Sequence, residues 1–352
     1  MAEKVLMKGN EAIAEAAICA GCRHYFGYPI TPQTELAAYM AKKMPKIGGT
    51  FLQAESEISA INMVYGVAAT GKRTMTSSSS PGISLKSEGI SYLAGCDLPA
   101  VVVNVQRGGP GLGGIQPSQS DYFQATKGGS HGDFKNIVLA PASVQEMASL
   151  TIKAFDLADK YRMVAMLLAD GTMGQMMEPV SLETEDIKTY DKPWALTGTN
   201  GERKKNIVNS LYLKPELLEE INNERYAKYK EIEENEVMCE HFMMDDAEIC
   251  VVSFGICSRV AKNAIIKARE QGVKVGMIRP ITLWPFPKKE LLAAAAQCKK
   301  FLCVEMNMGQ MIEDVELAIR CSRPVDLCYR VGGIIPTCDE ILAKIMQAEK
   351  GE

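Results

Sequence analysis

The chain has 352 residues, 47% of them hydrophobic and 23% charged, with a net charge of -4. These are the values of an ordinary globular protein large enough for two domains, and they leave no basic face for nucleic acid and no polybasic patch for a membrane surface. No apolar run reaches the length of a membrane span and the amino end lacks an apolar signal core, so a cytoplasmic protein with its eleven cysteines reduced is expected.

In chain order, Asn10 is placed to cap a helix running through Ala20, with Ile13, Ala17 and Ala20 on one face. Cys19-Ala20-Gly21-Cys22 is a CxxC with no second pair at zinc or cluster spacing, and it reads as two small buried residues at a helix end. Arg23 to Tyr28 reads as a buried strand stopped by Pro29. Thr31 then has the hydroxyl of a helix cap, Pro32 suits the first helical position, and Glu35 falls where its charge meets the helix dipole. On spacing alone a plain cap is the favoured reading of Thr31, although few strand-to-helix turns need two prolines around a hydroxyl.

Thr50 to Gln53 is a short strand running into Glu55 and Glu57, and Ser56 is placed to cap a helix through Ala68 that Gly71 ends. Gly66 to Lys72 formally matches a phosphate loop. Arg73 stands where a magnesium-binding hydroxyl belongs, and the match lies at the end of a helix rather than before one, so it is rejected. Arg73 to Thr76 is a strand breaking into Ser77 to Gly82, a small-residue turn that opens a helix ending near Gly95; a capped helix start and a close approach to a ligand both remain open there.

Pro99 to Val105 is apolar enough for a central parallel strand. Beyond it lie Arg107 and the GxGxxG run Gly109 to Gly114, where Pro117 denies the immediate helix that dinucleotide binding requires, leaving a flexible binding loop. Asn136 to Ala140 and Met163 to Leu168 are further buried strands, with a helix from Val144 to Asp159 between them. From about Glu183 to Ala247 the chain turns polar and charged, reading as an exposed linker with a helix at 215–237 set against a neighbouring chain. Alternation then resumes: strands at 249–254, 274–278, 301–304 and 325–329, and helices at 258–270, 288–298, 309–321 and 339–348. The expected class is α/β, two doubly wound, mostly parallel-sheet domains over 1–182 and 248–352, joined by the charged segment 183–247.

The run Tyr28-Pro29-Ile30-Thr31-Pro32 resembles the YPITP signature of the alpha subunits of 2-oxoacid:ferredoxin oxidoreductases. The resemblance continues through Glu55-Ser56-Glu57, Thr76 to Gly82, Asn104 to Pro110, Ser118-Gln119-Ser120-Asp121 and Arg279 to Pro287, spanning both ends of the chain in order. It implies a thiamine-diphosphate aminopyrimidine-binding domain followed by a transketolase C-terminal-like domain that is mainly a contact domain. Arg279 to Pro287 and Glu305 to Gln310 are expected at carboxyl ends of strands, where ligands or partner subunits dock.

The family's chemistry needs one carboxylic acid facing the cofactor's aminopyrimidine. The resemblance assigns that role to Glu57, with Glu55 as runner-up; otherwise both merely complement the helix dipole. It places Tyr28, Pro29 and Ile30 at the cofactor, and Thr31 and Arg107 on the 2-oxoacid's keto oxygen and carboxylate, an arginine suiting a carboxylate through paired charge-assisted bonds. Ala169-Asp170-Gly171 is similar to the start of the magnesium-diphosphate motif of thiamine enzymes, but it lacks the first glycine and reads as a strand-end turn. No metal site is therefore expected in this chain. The resemblance implies that a beta subunit supplies the diphosphate and Mg2+ site, that gamma and ferredoxin-like delta subunits carry the iron-sulfur clusters, and that the assembly turns a 2-oxoacid and coenzyme A into acyl-CoA and carbon dioxide with ferredoxin as acceptor. Gly111 to Ser118 resembles the 2-oxoisovalerate subgroup more than the 2-oxoglutarate one. A thiamine decarboxylase that uses no ferredoxin and a non-catalytic assembly subunit are the alternatives.

Overall fold

The structure, a computed structural model, describes residues 4–182 and 188–350. Residues 183–187, where the sequence places the start of the linker, lie outside the described residues, as do the chain ends assigned to the two domains.

The first half builds β1 (Val5–Lys8), α1 (Gly9–Cys19), β2 (His24–Gly27), α2 (Thr34–Lys43), β3 (Thr50–Gln53), α3 (Glu57–Ala69), β4 (Thr74–Ser78), α4 (Pro81–Gly95), β5 (Ala100–Gln106), α5 (Tyr122–Thr126), β6 (Ile137–Leu139), α6 (Val144–Tyr161), β7 (Val164–Asp170), α7 (Gly171–Gln175) and β8 (Met177–Val180). Then follow α8 (Pro215–Asn235), β9 (Cys239–Phe242), β10 (Ile249–Ser253), α9 (Gly255–Glu270), β11 (Val275–Pro280), β12 (Thr282–Trp284), α10 (Lys288–Gln297), β13 (Lys300–Glu305), α11 (Met311–Ala318), β14 (Val325–Tyr329) and α12 (Cys338–Lys350).

A seven-stranded sheet runs in the order β12-β6-β7-β5-β4-β2-β3, parallel except for β12. A five-stranded sheet runs β14-β13-β10-β11-β9, parallel except for β9. Both are doubly wound α/β layers, and their central strands β5, β7 and β10 are buried along their whole length. That burial on both faces is why those strands are dominated by Val, Ile, Leu, Met and Ala.

Some short elements differ from the sequence reading. Asn10 does not cap α1; it lies inside the first turn, fully buried, and its side-chain amide donates to the Pro32 carbonyl at 2.8 Å, so tertiary packing claims the polar group that a cap would have used. Thr31 does not cap α2 and Pro32 is not its first residue. The Thr31-Pro32 bond is cis and the helix starts at Thr34, because Gln33 is buried in a hydrogen-bond network beneath the turn. The strands β1, β8, β9 and β12 were not anticipated; β9 leaves the charged segment to pair with β11.

Three connections lock the two sheets together. β12 leaves the second half to extend the first sheet beside β6. Arg279 in β11 makes paired bonds of 2.9 and 2.7 Å to Glu146 on α6 and a third, of 2.6 Å, to Glu240 on β9. Gln119, buried, donates to the Phe254 carbonyl at 2.8 Å and accepts from Met306 N–H at 3.0 Å, while Asn307 donates to the Gln119 carbonyl at 2.9 Å. Glu305 in turn accepts the Met311 and Ile312 amides at the start of α11, and burial pushes its carboxyl up despite those bonds. Arg279 and the run 305–310 thus contribute to a seam within this chain, while Met308 stays exposed.

Candidate functional site

All of the site residues named from sequence lie beyond the carboxyl ends of adjacent parallel strands: Tyr28 to Thr31 after β2, Glu55 and Glu57 after β3, Ser79 to Gly82 after β4, and Arg107 after β5. Strand ends of an open parallel sheet form a crevice because the chain leaves each strand toward a helix on one face or the other. The turn after β2 and the start of α3 are held side by side by a bond from Ala54 N–H to the Gly27 carbonyl, 2.9 Å.

The two glutamates separate clearly. Glu55 is exposed, and hydrogen bonds from Ser59 and Ser56 hold its carboxyl below the ordinary range. Ser56 caps α3 by accepting from Ser59 N–H at 3.2 Å. That cap turns Glu57 inward, where it is 6% exposed and faces the first turn of α4. Gly82 makes the fit possible: a Cβ there would lie 2.7 Å from Glu57 Oε1 and 2.0 Å from Ser78 Oγ. Glycine is required here by close approach, not by backbone angle.

Thr31 and Arg107 are brought together. Arg107 is buried and its guanidinium donates to the Thr31 carbonyl at 3.0 Å and to the Leu112 carbonyl at 3.4 Å. The Thr31 side, with Tyr28 and Pro29, is exposed, and Ile30 is half-buried. The exposed loop 109–116 carries Leu112 and Ile115 outward, and the sheet continues into no helix there, in keeping with a binding loop rather than a dinucleotide turn.

Between Glu57 and Arg107 sits the turn 77–82, braced from below. Tyr25 donates to Ser77 at 2.6 Å, and Ser77 donates to Gln33 at 2.6 Å. Ser80 has φ of +26°, a left-handed value rare for a residue with a side chain and one that costs on the order of 1–3 kcal/mol unless its surroundings impose it. Here its N–H donates to Asn104 at 3.1 Å, its hydroxyl donates to Asp121 at 2.6 Å, and that hydroxyl accepts the Arg107 backbone N–H at 3.1 Å. Asn104 also donates to Asp121 at 2.9 Å; burial pushes the Asp121 carboxyl up, against both of these bonds.

Among the described residues, the hydroxyls of Ser78 and Ser79 and Nε of Arg107 are buried without partners, as are six side-chain atoms elsewhere, Thr76 Oγ1 among them. The first three lie along the same strand-end crevice as Glu57, and this set of free donors beside one carboxylate fits a polar heteroaromatic cofactor and an anionic substrate. Lys86 was missed by the sequence reading. It is fully buried one turn beyond Gly82 and points its ammonium at the Glu57 carbonyl, 3.5 Å away. Its signal was a lysine set among the buried apolar positions Ile83, Ile90 and Leu93 of α4.

Asp170, read as a strand-end turn, caps α7 by accepting the Thr172 and Met173 amides at 2.9 and 3.1 Å. Burial pushes its carboxyl up to about 6. Among the described residues no helix is long and apolar enough to cross a membrane.

Residues 15–241 match the family described as "Pyruvate flavodoxin/ferredoxin oxidoreductase, thiamine diP-bdg", and residues 247–341 match "Pyruvate:ferredoxin oxidoreductase core domain II". The chain is 51% identical over 343 residues to the ketoisovalerate oxidoreductase subunit VorB of Methanothermobacter thermautotrophicus, covering 97% of each. It is 38% identical over 379 residues to the 2-oxoglutarate synthase subunit KorA of Methanothermobacter marburgensis, covering 98% of this chain and 99% of that one. Among solved structures, the 2-oxoglutarate:ferredoxin oxidoreductase of Magnetococcus marinus, determined with 2-oxoglutarate, coenzyme A and succinyl-CoA bound, superposes with a TM-score of 0.88 at 29% identity, over 98% of this chain and 65% of that one. A split gene transketolase, at 12% identity and a TM-score of 0.62, shares the fold over 98% of both chains.

Proposed function

The chain belongs to the pyruvate flavodoxin/ferredoxin oxidoreductase family of thiamine-diphosphate-binding oxidoreductases, and from that premise we propose that it is the alpha-type subunit of a branched-chain 2-oxoacid:ferredoxin oxidoreductase, acting on 2-oxoisovalerate. The observation that carries the site assignment is the burial of Glu57 against Gly82 while Glu55 faces solvent. The substrate assignment is supported by the 51% identity to a ketoisovalerate subunit, against 38% to a 2-oxoglutarate one, and by the apolar Leu112 and Ile115 on the loop that Arg107 holds.

In this reading thiamine diphosphate supplies the electron sink for decarboxylating a 2-oxoacid. Glu57 holds a proton at the aminopyrimidine ring nitrogen, and Tyr28, Pro29 and Ile30 form the rim on which the ring rests. The unpaired Nε and the neighbouring guanidinium edge of Arg107 take the substrate carboxylate, and the Thr31 hydroxyl reaches the keto oxygen. The first domain (1–182) provides this half-site and the last domain (248–352) braces it; α8 of the charged segment, expected against a neighbouring chain, packs instead on this one, where Arg225 donates to the Gly95 carbonyl at 2.5 Å and Tyr229 and Ile232 are buried. A beta subunit carrying the diphosphate and Mg2+ site, gamma and ferredoxin-like delta subunits with iron-sulfur clusters, and cytoplasmic ferredoxin and coenzyme A complete the assembly.

The test is the assembled complex assayed with 2-oxoisovalerate and with 2-oxoglutarate, in wild type and in Arg107→Ala. The expected result is higher kcat/KM for the branched-chain acid, and a KM raised by one to two orders of magnitude in the variant, the scale of a lost charge-assisted bond of roughly 1.5–3 kcal/mol. Preference for 2-oxoglutarate would overturn the substrate, and unchanged kinetics in Arg107→Ala would overturn the assignment of that side chain.

A further inference from the structure

Lys86 is fully buried in α4, which is unusual for a residue that normally snorkels its ammonium to water. Two independent contacts fix what it faces. Gly82 and Lys86 are four residues apart and therefore share one face of α4. Gly82 abuts the Glu57 carboxylate, and Lys86 Nζ donates to the Glu57 carbonyl at 3.5 Å. The helices α3 and α4 are pressed together just beyond, where a Cβ on Gly89 would lie 2.5 Å from the Ile61 side chain. Of the charged groups on the packed elements, Glu57 of α3 is the one whose field reaches Lys86; the neighbouring Ser78 and Ser79 at the end of β4 are uncharged.

We propose that Lys86 is a positioning residue for Glu57: its sealed ammonium, donating to the Glu57 carbonyl, fixes the first residue of α3 and through it the place of the side chain in the crevice, and its charge governs how the affinity for the aminopyrimidine cofactor varies with pH. This rests on the assignment of Glu57 made above. An unpaired cation in such a place would cost several kcal/mol, and here the bond to the Glu57 carbonyl and the field of the Glu57 side chain offset part of it. Burial pulls the ammonium down to about 8, with the charge of Glu57 acting in the opposite direction. The positive charge is consequently present at neutral pH and lost as the medium becomes mildly alkaline, within the working range of the site.

The experiment is a calorimetric titration of thiamine diphosphate with Mg2+ into the cofactor-stripped complex, across about pH 6.5 to 9.5, for wild type, Lys86→Met and Lys86→Arg. Wild-type affinity is expected to fall through an inflection near pH 8. Lys86→Met should bind about tenfold more weakly at pH 7, the scale of one pKa unit of coupling, and lose the inflection. Lys86→Arg, which keeps its charge throughout, should retain tight binding to the alkaline end. Wild-type affinity and slope in Lys86→Met overturn the inference. Should that variant fail to assemble, superimposable wild-type and Lys86→Arg profiles overturn it. Glu57→Gln separates the two readings: if it keeps full turnover the role of Glu57 itself falls, whatever residue 86 does.

Discussion

Gly82→Ala isolates the position of one carboxylate from the stability of the fold. Gly82 is in the first turn of α4 with an ordinary helical backbone, so the helix preference of alanine, up to about 1 kcal/mol, offsets part of the crowding that its Cβ creates. Its Cβ would lie 2.7 Å from Glu57 Oε1 and 3.1 Å from Glu57 Cγ, and the carboxylate must retreat about 0.7 Å to reach ordinary contact. Ser78 Oγ, 2.0 Å from the same point, must rotate as well, and strand β4 and helix α3 leave both little room. Misplacing a catalytic group by roughly 1 Å can cost about 100-fold in rate, so kcat of the assembled complex should fall 10- to 100-fold, while overpacking of about 1–3 kcal/mol, partly offset by the helix preference, should lower its melting temperature by only a few degrees. Gly66→Ala in α3 is the control, since a Cβ there meets nothing within 4 Å and should leave kinetics unchanged. Steady-state turnover with 2-oxoisovalerate beside thermal melts decides it. Wild-type kcat in Gly82→Ala would refute the claim that the Glu57 carboxylate works from its observed position.

Two further outcomes concern the seam and its pH dependence. Arg279→Met strands Glu146 and Glu240; breaking a buried pair costs roughly 3–5 kcal/mol, reduced here to about 2–3 because both carboxylates are partly hydrated and Lys262 still pairs with Glu240. Hydrogen exchange should then quicken in β9 and at the start of α6, and adding Glu146→Gln should recover part of the loss; full additivity of the two changes would count against a direct pair. For Asp170, the folded carboxyl keeps its proton up to about pH 6 whereas the unfolded one loses it near the ordinary aspartate value of 3.8, so between those values the native state binds more protons and stability falls as pH rises. Asp170→Asn, which mimics the protonated form and can still cap α7, should match wild type in acid and exceed it by up to about 3 kcal/mol above pH 6, in denaturant titrations at both pH values; no gain at neutral pH would show that the carboxylate is not strained by burial.

The central strands were legible because burial on both faces leaves a mostly apolar run, as in Ala100–Gln106, where Asn104 and Gln106 are the polar members, and Ile249–Ser253. The edge strands were not. Cys239–Phe242 and Thr282–Trp284 are three or four residues of mixed character, and what makes them strands is the partner each meets. The same limit applied at the site. Glu55 and Glu57 sit equally well at a helix amino end, and only the packing of α4 against α3 decides which carboxyl goes inside. Thr31 and Asn10 carried the chemistry of caps, but tertiary partners took them over: the Pro32 carbonyl for Asn10, and the Gln33 network that delays the start of α2.

The runs 118–121 and 305–310 stand well away from Glu57 in the hydrogen-bond pattern, yet their residue types are explained by what they hold. Gln119 uses both ends of its amide and its own carbonyl to grip the second sheet at Phe254, Met306 and Asn307. Two residues on, Asp121 fixes the Ser80 hydroxyl, and that hydroxyl receives the backbone N–H of Arg107. A strained residue such as Ser80 keeps its conformation only while its neighbours over-determine it, and those neighbours are positioned by a segment that the second domain clamps. The second half of the chain therefore stiffens the turn between the proposed acid and the proposed carboxylate receptor, which is a physical reason for both halves to travel in one chain.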